Sequence, residues 1–532
     1  MSANAIPRCE RVVDFLDHWC AIQPDVVLDE FDGVERTYRQ VKRDVDACAA
    51  SLLSLGIRPG DRVAMLTDPR PEFLTVFLAL SRVGASWVGL SPRYTRGELE
   101  HVVVDSRPTM LIAITPAREP TLSDDVHALA RDSGSIRHVV SVGDVQSRAI
   151  PLERLLAEPA PDAAARLEAI AGGVDPEAIA LIVYTSGTTG EPKGAMISHR
   201  ALAIGCWLQG TRIDHDRPRT LANLPVNHIG GVMDLVSVPL AMGGTIHFMD
   251  RFGPERTLSL LQARRITMWG QIPTMFQLVA AVPGFDEADL SSLQSIWWGG
   301  SSMPKALVAR LRSTGARLGT VYGLTESCVS VAYNDDDADD ETLAETVGRP
   351  DPRLELRLVD ADGHPVPNEA PGEIQVRNQC LMTGYLGLPG ATREAFTPDG
   401  YLRTGDLAVR RADGNLQLVG RVQDMFKSGG YNVYPREIEL ALESHPSVDM
   451  TAVIAVTDPI YHEVGHAFVT LRRGERATPA ELERWCRDRL ANYKVPKLIV
   501  VRDELPLLRT GKVDKRALNH LVAGTDALQS AR

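Results

Sequence analysis

The sequence predicts an α/β fold: a large N-terminal portion of layered α/β units, a β-rich piece near its end, and a small α+β C-terminal portion. Three observations carry this. Strand-like and helix-like stretches alternate from residue 62 to residue 323. After residue 350 apolar and polar residues alternate around two Asp-Gly turns. Beyond GRVQD (420–424) the pattern becomes mixed. Strands that alternate with helices imply right-handed crossovers and a mainly parallel sheet.

Taken in order, RVAMLTD (62–68), PEFLTVFLALSRVG (71–84) and ASWVGLSP (85–92) read as strand, helix, strand. Phe73, Phe77, Leu80 and Gly84 follow helical spacing, and Pro71 suits a first turn. Thr95 with Glu98 forms a capping box for the next helix, and MLIAIT (110–115) is an apolar strand. The rhythm resumes with GTIHFMD, PERTLSLLQARR, ITMWGQIP, SLQSIWWGG, KALVARLRSTG and RLGTVYG. RLELRLVDADGHPVP and GEIQVRN flank Asp362-Gly363, and Asp413-Gly414 follows, so an antiparallel subdomain is expected over about 345–420. The tail holds a helix at REIELALESH, strands TAVIAV and HAFVTLRR, and a helix opened by Thr478 and Glu481. At roughly 110 residues it is domain-sized. The acidic run NDDDADDE (334–341) is too uniform for a calcium loop and reads as a solvated turn.

Composition narrows the class. The 532 residues are 44% hydrophobic and 24% charged, an ordinary globular balance. A net charge of −12 and a pI near 5.6 argue against a nucleic-acid backbone as partner. No apolar run approaches a membrane span, and the N-terminus lacks a signal-peptide core. Seven cysteines without a C-x-x-C point to reduced thiols in the cytoplasm, none of them catalytic.

Residues 184–194, YTSGTTGEPKG, crowd glycines and hydroxyl residues ahead of a single lysine. Such a stretch suits phosphate, because glycine lets backbone amides approach an anion and Ser/Thr donate to its oxygens. It is neither G-x-x-x-x-G-K-[ST] nor GxGxxG, and a flexible linker has a similar composition. YGLTE (322–326), YLRTGDLA (401–408), GRVQDMFKSGGYNVYPREIE (420–439) and LLRTGKVDK (507–515) each have an equally plain structural reading when taken alone.

In this order and combination these motifs resemble the adenylate-forming superfamily, which contains acyl-CoA ligases, peptide-synthetase adenylation domains and beetle luciferases. The resemblance runs nearly end to end and lies closest in pattern to the acyl-CoA ligases. It implies an N-terminal domain over 1–422 and a mobile C-terminal domain over 423–532 that swings about a hinge near Gln423. That position is usually Asp or Lys in the family. The implied chemistry joins a carboxylic acid to AMP from ATP, with Mg2+, and passes the acyl group to CoA. An anionic acid must approach a triphosphate. Two unit charges about 4 Å apart interact by roughly 4 kcal/mol at an effective dielectric near 20, so cations and oriented donors are required.

By resemblance, Thr185, Ser186, Gly187, Thr188, Thr189, Gly190 and Lys193 hold the β- and γ-phosphates. Thr325 touches the α-phosphate, Glu326 ligates the metal, and Lys512 bridges the α-phosphate and the substrate carboxylate. Asp406 takes the ribose hydroxyls with Arg421 in support. Tyr322 and Gly323 meet adenine, with Gly300, Ser301 and Ser302 at its edge. Amino-acid-activating relatives carry an F-D pair where this chain has Asn227-His228, and Asp234 lies too far along to substitute, so a plain acid is expected, since an unpartnered amine would be costly to desolvate. The expected acyl pocket comprises His228, Trp269, Gly270, Gln271, Trp297, Trp298 and Gly299, which favours a hydrophobic group. Core packing is the other reading of its tryptophans. Ser428, Gly429 and Gly430 match the loop over which the pantetheine arm of CoA passes. An acyl carrier protein is the alternative acceptor.

Overall fold

Helix Pro71–Val83 shows how the sequence builds the N-terminal layers. Proline opens it, every residue from Phe73 onward is buried, and Gly84 closes it at φ 78°. That left-handed cap costs glycine little and other residues more. Phe73 stacks on Phe77 at 5.5 Å, and Trp87 of the next strand meets Phe73 edge-on at 5.3 Å. Thr95 and Glu98 form the reciprocal capping box of Arg96–Ser106, and Thr478 with Glu481 do the same for Pro479–Arg487.

The computed structural model describes residues 6–114, 120–142, 149–157, 161–185, 192–428, 431–507 and 513–529. They fall into two compact units, 1–355 with 376–402, and 356–375 with 403–532. The first unit contains two large sheets. One runs in the order Gly384–Tyr385, Lys193–Ser198, Ile179–Thr185, Ser86–Leu90, Arg62–Leu66, Met110–Ile114, His138–Val142, Ile150–Pro151. Its interior pairs are parallel, while the two pairs at the Gly384 end are antiparallel.

In the second sheet the parallel strands Thr245–Phe248, Arg219–Ala222, Met268–Gln271, Ser295–Trp298 and Arg317–Gly323 lie side by side. Antiparallel strands Ser330–Tyr333 and Arg349–Pro350 extend one edge. A hairpin, Val27–Phe31 and Val34–Thr37, which the strand-helix rhythm did not anticipate, forms the other. The acidic run at 334–341 is a turn that ends in helix Asp340–Glu345, capped by Asp339, and surface ion pairs tie it down, among them Arg349–Asp335 at 2.7 Å and Arg317–Asp336 at 3.0 Å.

The two Asp-Gly turns sit in the expected β-rich piece, a four-stranded sheet of Glu355–Val359, Pro371–Arg377, Leu402–Arg410 and Leu416–Arg421. Gly363 and Gly414 have φ of 84° and 86°, the positive angles such hairpins need. Compactness groups most of this sheet with the C-terminal residues. The C-terminal residues form a five-stranded sheet centred on the long pair Val448–Asp458 and His462–Leu471, with helices Pro435–Glu443 and Pro479–Arg487 packed on its core. No helix among the described residues is long and apolar enough to cross a membrane. All seven cysteines are free, and burial pushes the Cys48 and Cys380 thiols up to about 12.

Candidate active site

Thr185 and Lys193 are opposed partners on the antiparallel strands Ile179–Thr185 and Lys193–Ser198 of the first sheet. Ser186, Gly187, Thr188, Thr189 and Gly190 lie outside the described residues. Gly194 has a packing reason: a Cβ there would lie 3.0 Å from Ile182 and 3.1 Å from the Tyr184 ring.

Thr325 and Glu326 lie on one short 3-10 turn, Thr325–Ser327, just past strand Arg317–Gly323 of the second sheet. The Glu326 carboxylate accepts hydrogen bonds from the Thr185 hydroxyl at 3.4 Å and the Tyr385 phenol at 2.9 Å, both at Oε1. Lys193 Nζ sits 5.3 Å from the centre of the Tyr385 ring. Burial, and then the nearby Glu326 charge, push the Tyr385 phenol well above its ordinary range, so it stays a neutral donor. Thr185 and Tyr385 thus converge on the Glu326 carboxylate, and Lys193 lies over the Tyr385 ring. Tyr385 was not anticipated. It stands on a two-residue edge strand with no motif around it, and only its pairing with Ala195 brings it in.

Gly300, Ser301 and Ser302 form an exposed loop at the C-terminal end of strand Ser295–Trp298, with Gly300 at φ 86°. Tyr322 is buried, and Gly323 lets two backbones close, since a Cβ there would lie 2.8 Å from Ser330 Cα. These residues gather at the carboxyl ends of parallel strands, where open α/β sheets bind ligands.

In the second unit Asp406 and Arg421 are cross-strand partners, with Arg421 Nε 2.9 Å from Asp406 Oδ1. Gln423 is exposed in the turn that follows. Ser428 is buried and pairs with Tyr431, while Gly429 and Gly430 between them lie outside the described residues. Lys512 also lies outside them. Asp406 is expected from the motif resemblance to take the ribose hydroxyls, so Asp406→Ala should weaken ATP binding at least tenfold, since a charge-assisted hydrogen bond is worth about 1.5–3 kcal/mol. Calorimetric titration with ATP checks this, and unchanged affinity would remove Asp406 from the ribose.

The sheet divides the expected acyl pocket. Side chains alternate across a strand, so Trp269, Gln271 and Trp298 face one way and Gly270 and Trp297 the other. Trp269 is fully buried, packs on Phe276 at 4.5 Å, and shares a hydrophobic core with Trp298, Ile296 and Leu318. Both are core tryptophans. Trp297 lies over Gly319, where a Cβ would come 2.2 Å from the indole. On this face a Cβ at Gly270 would meet Leu235 at 3.0 Å, and one at Gly299 would meet Val321 at 3.0 Å. His228 stands just before the π-helix Gly230–Ser237, to which Leu235 belongs. The Gly270 and Trp297 face is therefore the one turned toward that helix.

The π-helix carries a carboxylate that the motif reading set aside. Gln209 Nε2 donates to Asp234 Oδ1 at 2.7 Å, and burial raises the Asp234 pKa from 3.8 to about 6 against that hydrogen bond. The folded protein thus keeps a proton that the unfolded chain has already released between about pH 4 and pH 6. Stability falls as pH rises through that window. Asp234→Asn should make the protein about 1–3 kcal/mol more stable at pH 7.5 and flatten the fall. Urea unfolding at pH 5 and pH 7.5 measures both effects.

Two family models match the chain: AMP-binding enzyme over residues 16–386, and AMP-binding enzyme C-terminal domain over residues 437–512. Among curated proteins, a feruloyl-CoA synthase of Amycolatopsis is 36% identical over 504 residues, covering 93% of this chain and 95% of its own. An indoleacetate–CoA ligase of Aromatoleum aromaticum is 33% identical, covering 96% and 98%. Among solved structures, an anthranilate CoA ligase in complex with anthranoyl-AMP superposes with a TM-score of 0.85 at 26% identity, covering 98% of this chain and 100% of its own. With both models matched and these likenesses running nearly end to end, the chain belongs to the family of AMP-binding, adenylate-forming enzymes that includes the acyl-CoA ligases.

Proposed function

We propose that this chain is an AMP-forming acyl-CoA ligase: it joins a hydrophobic carboxylic acid to AMP from ATP, releases pyrophosphate, and passes the acyl group to the thiol of CoA. The observation that carries the proposal is the convergence of Thr185 and Tyr385 on Glu326, with Lys193 over the Tyr385 ring. Lys193 offsets the charge of the outer phosphates, and Tyr385 and Thr185 fix the direction in which Glu326 presents its free oxygen. A carboxylate and a hydroxyl are hard oxygen donors, which fit magnesium. Bound there with the phosphates, Mg2+ would neutralise charge that builds on the leaving pyrophosphate. Thr325 donates to the α-phosphate, and Asp406 offers two oxygens to the two ribose hydroxyls while Arg421 holds it in place. Lys512 supplies the cation between the α-phosphate and the incoming carboxylate. Ser428, Gly429 and Gly430 form the passage for pantetheine.

The named relatives support a ring-bearing hydrophobic acid, as their own substrates are feruloyl and indoleacetyl groups. Free and mostly buried cysteines fit a reducing compartment, and we place the enzyme in the cytoplasm. A panel of carboxylic acids with ATP, Mg2+ and CoA tests the reading. AMP, pyrophosphate and an acyl-CoA should form in equal amounts. Formation of ADP would overturn adenylation. AMP formation with no thiol consumed, until a holo acyl carrier protein is added, would move the acceptor from CoA to that protein.

A further inference from the structure

Asp234 has a surrounding that core packing does not explain. It lies deep in the first unit on the π-helix Gly230–Ser237, a helix form that concentrates at functional sites. Its neighbours Val232, Met233, Leu235 and Val236 are buried, while Asp234 keeps accessible surface, as do His228, Ile229 and Gly230 on the turn before it. One of its oxygens is held: Oδ1 accepts from Gln209 Nε2 at 2.7 Å, and the Ser330 backbone N–H donates to Gln209 Oε1 at 3.4 Å, which fixes the direction of that amide. The other oxygen, Oδ2, accepts from nothing among the described residues and is not among the buried unpartnered atoms. No charged side chain figures among the causes of its shifted titration, which are burial and Gln209.

Gly230 sharpens the point. A Cβ at Gly230 would sit 3.5 Å from Asp234 Oδ2 and 3.8 Å from Leu224, both ordinary contacts, and its φ is not positive. Neither space nor backbone conformation therefore demands glycine there. Gly231 beside it is different, because a Cβ would lie 2.2 Å from the Pro225 carbonyl oxygen. What the missing side chain at 230 does is leave Oδ2 uncovered. The same helix faces Gly270 and Trp297, two residues of the expected acyl pocket.

We infer that Asp234, uncovered by Gly230 and oriented by Gln209, determines acid specificity: its Oδ2 accepts a hydrogen bond from an O–H or N–H donor on the acid, at the end remote from the carboxylate. This rests on the ligase reading above and names the substrate class within it. A carboxylate in a desolvated position is a strong acceptor that loses its water partners when an apolar tail seats against it. A donor on the tail replaces them. A site built to take a donor discriminates strongly against an analogue lacking it, whereas an apolar pocket discriminates weakly between isosteres.

The test compares matched pairs of acids that differ in one donor: 4-hydroxycinnamic and cinnamic, indole-3-acetic and indene-3-acetic, 12-hydroxydodecanoic and dodecanoic. The readout is kcat/KM for pyrophosphate release. Wild type should favour the donor-bearing member of at least one pair by about ten- to a hundredfold. Removing a hydroxyl ordinarily improves seating in an apolar pocket, so this direction is diagnostic. Asp234→Asn should collapse the preference to within about threefold. Gly230→Ala, which keeps the charge and covers Oδ2 with a methyl group, should reduce the preference in the same way. If wild type turned over both members of every pair equally, or Asp234→Asn kept the preference, the inference would fall and the ligase reading would stand. If no acid gave AMP, both would fall together.

Discussion

Glu326→Ala will yield a folded protein that releases pyrophosphate at less than about a thousandth of the wild-type rate. Removing one fixed electrostatic stabiliser from a transition state costs about 2.7–4 kcal/mol, and this carboxylate is proposed to act through a divalent cation as well. The fold should not suffer. Glu326 is half-buried, and its side chain touches Thr185 and Tyr385 instead of a core. Losing two hydrogen bonds at a site open to water should change stability by about 1 kcal/mol or less. Glu326→Gln separates charge from geometry, because the amide oxygen can still accept from Tyr385 while the negative charge is gone. An inactive Gln variant with an unchanged melting temperature supports charge as the requirement. A large loss of thermal stability in either variant would return Glu326 to a structural role.

Lys512→Ala and Gly430→Leu will divide the two half-reactions between them. Lys512 is proposed to meet the reactants only while the adenylate forms, offsetting charge at the α-phosphate and the carboxylate. Its loss should therefore abolish ATP-dependent activation by several orders of magnitude, yet leave conversion of a pre-formed acyl-adenylate and CoA to the thioester. Gly430→Leu should do the reverse. A branched side chain in the pantetheine passage leaves one burst of pyrophosphate per active site and then a stall. Domain alternation, in which one C-terminal unit offers two faces in turn, gives this crossed pattern. Rapid-quench measurement of pyrophosphate and separate assay of the synthetic adenylate test it. Equal loss of both steps in both variants would favour one fixed site.

Where local pattern dictates structure, the chain was legible. Helix Pro71–Val83, the boxes at Thr95 and Thr478, and the Asp-Gly turns stand where spacing places them, because each is set by residues within a few positions of one another. The motif residues were legible for the same reason: Thr185 with Lys193, and Thr325 with Glu326, are close in sequence. The rest depends on pairing across long separations. Nothing near Tyr385 marks it, and it reaches Glu326 only because its strand is the third partner in a ladder that begins at residue 179. Trp297 and Trp298 were read together because they are adjacent, yet adjacency in a strand is what sends side chains to opposite faces. Asp234 was discarded by counting from the motif, whereas the wider turn of a π-helix shifts which side chains share a face.

The pairing of Thr185 with Lys193 also fixes which kinds of insertion this chain can absorb. Lys193–Ser198 is ladder-bonded on both sides, to Ile179–Thr185 and to Gly384–Tyr385. One residue added after Lys193 would shift that register. Alternate side chains would exchange faces, and a side chain would take the place of Gly194 against Tyr184 and Ile182. Descendants of this sequence should therefore keep strand Lys193–Ser198 in step, residue for residue.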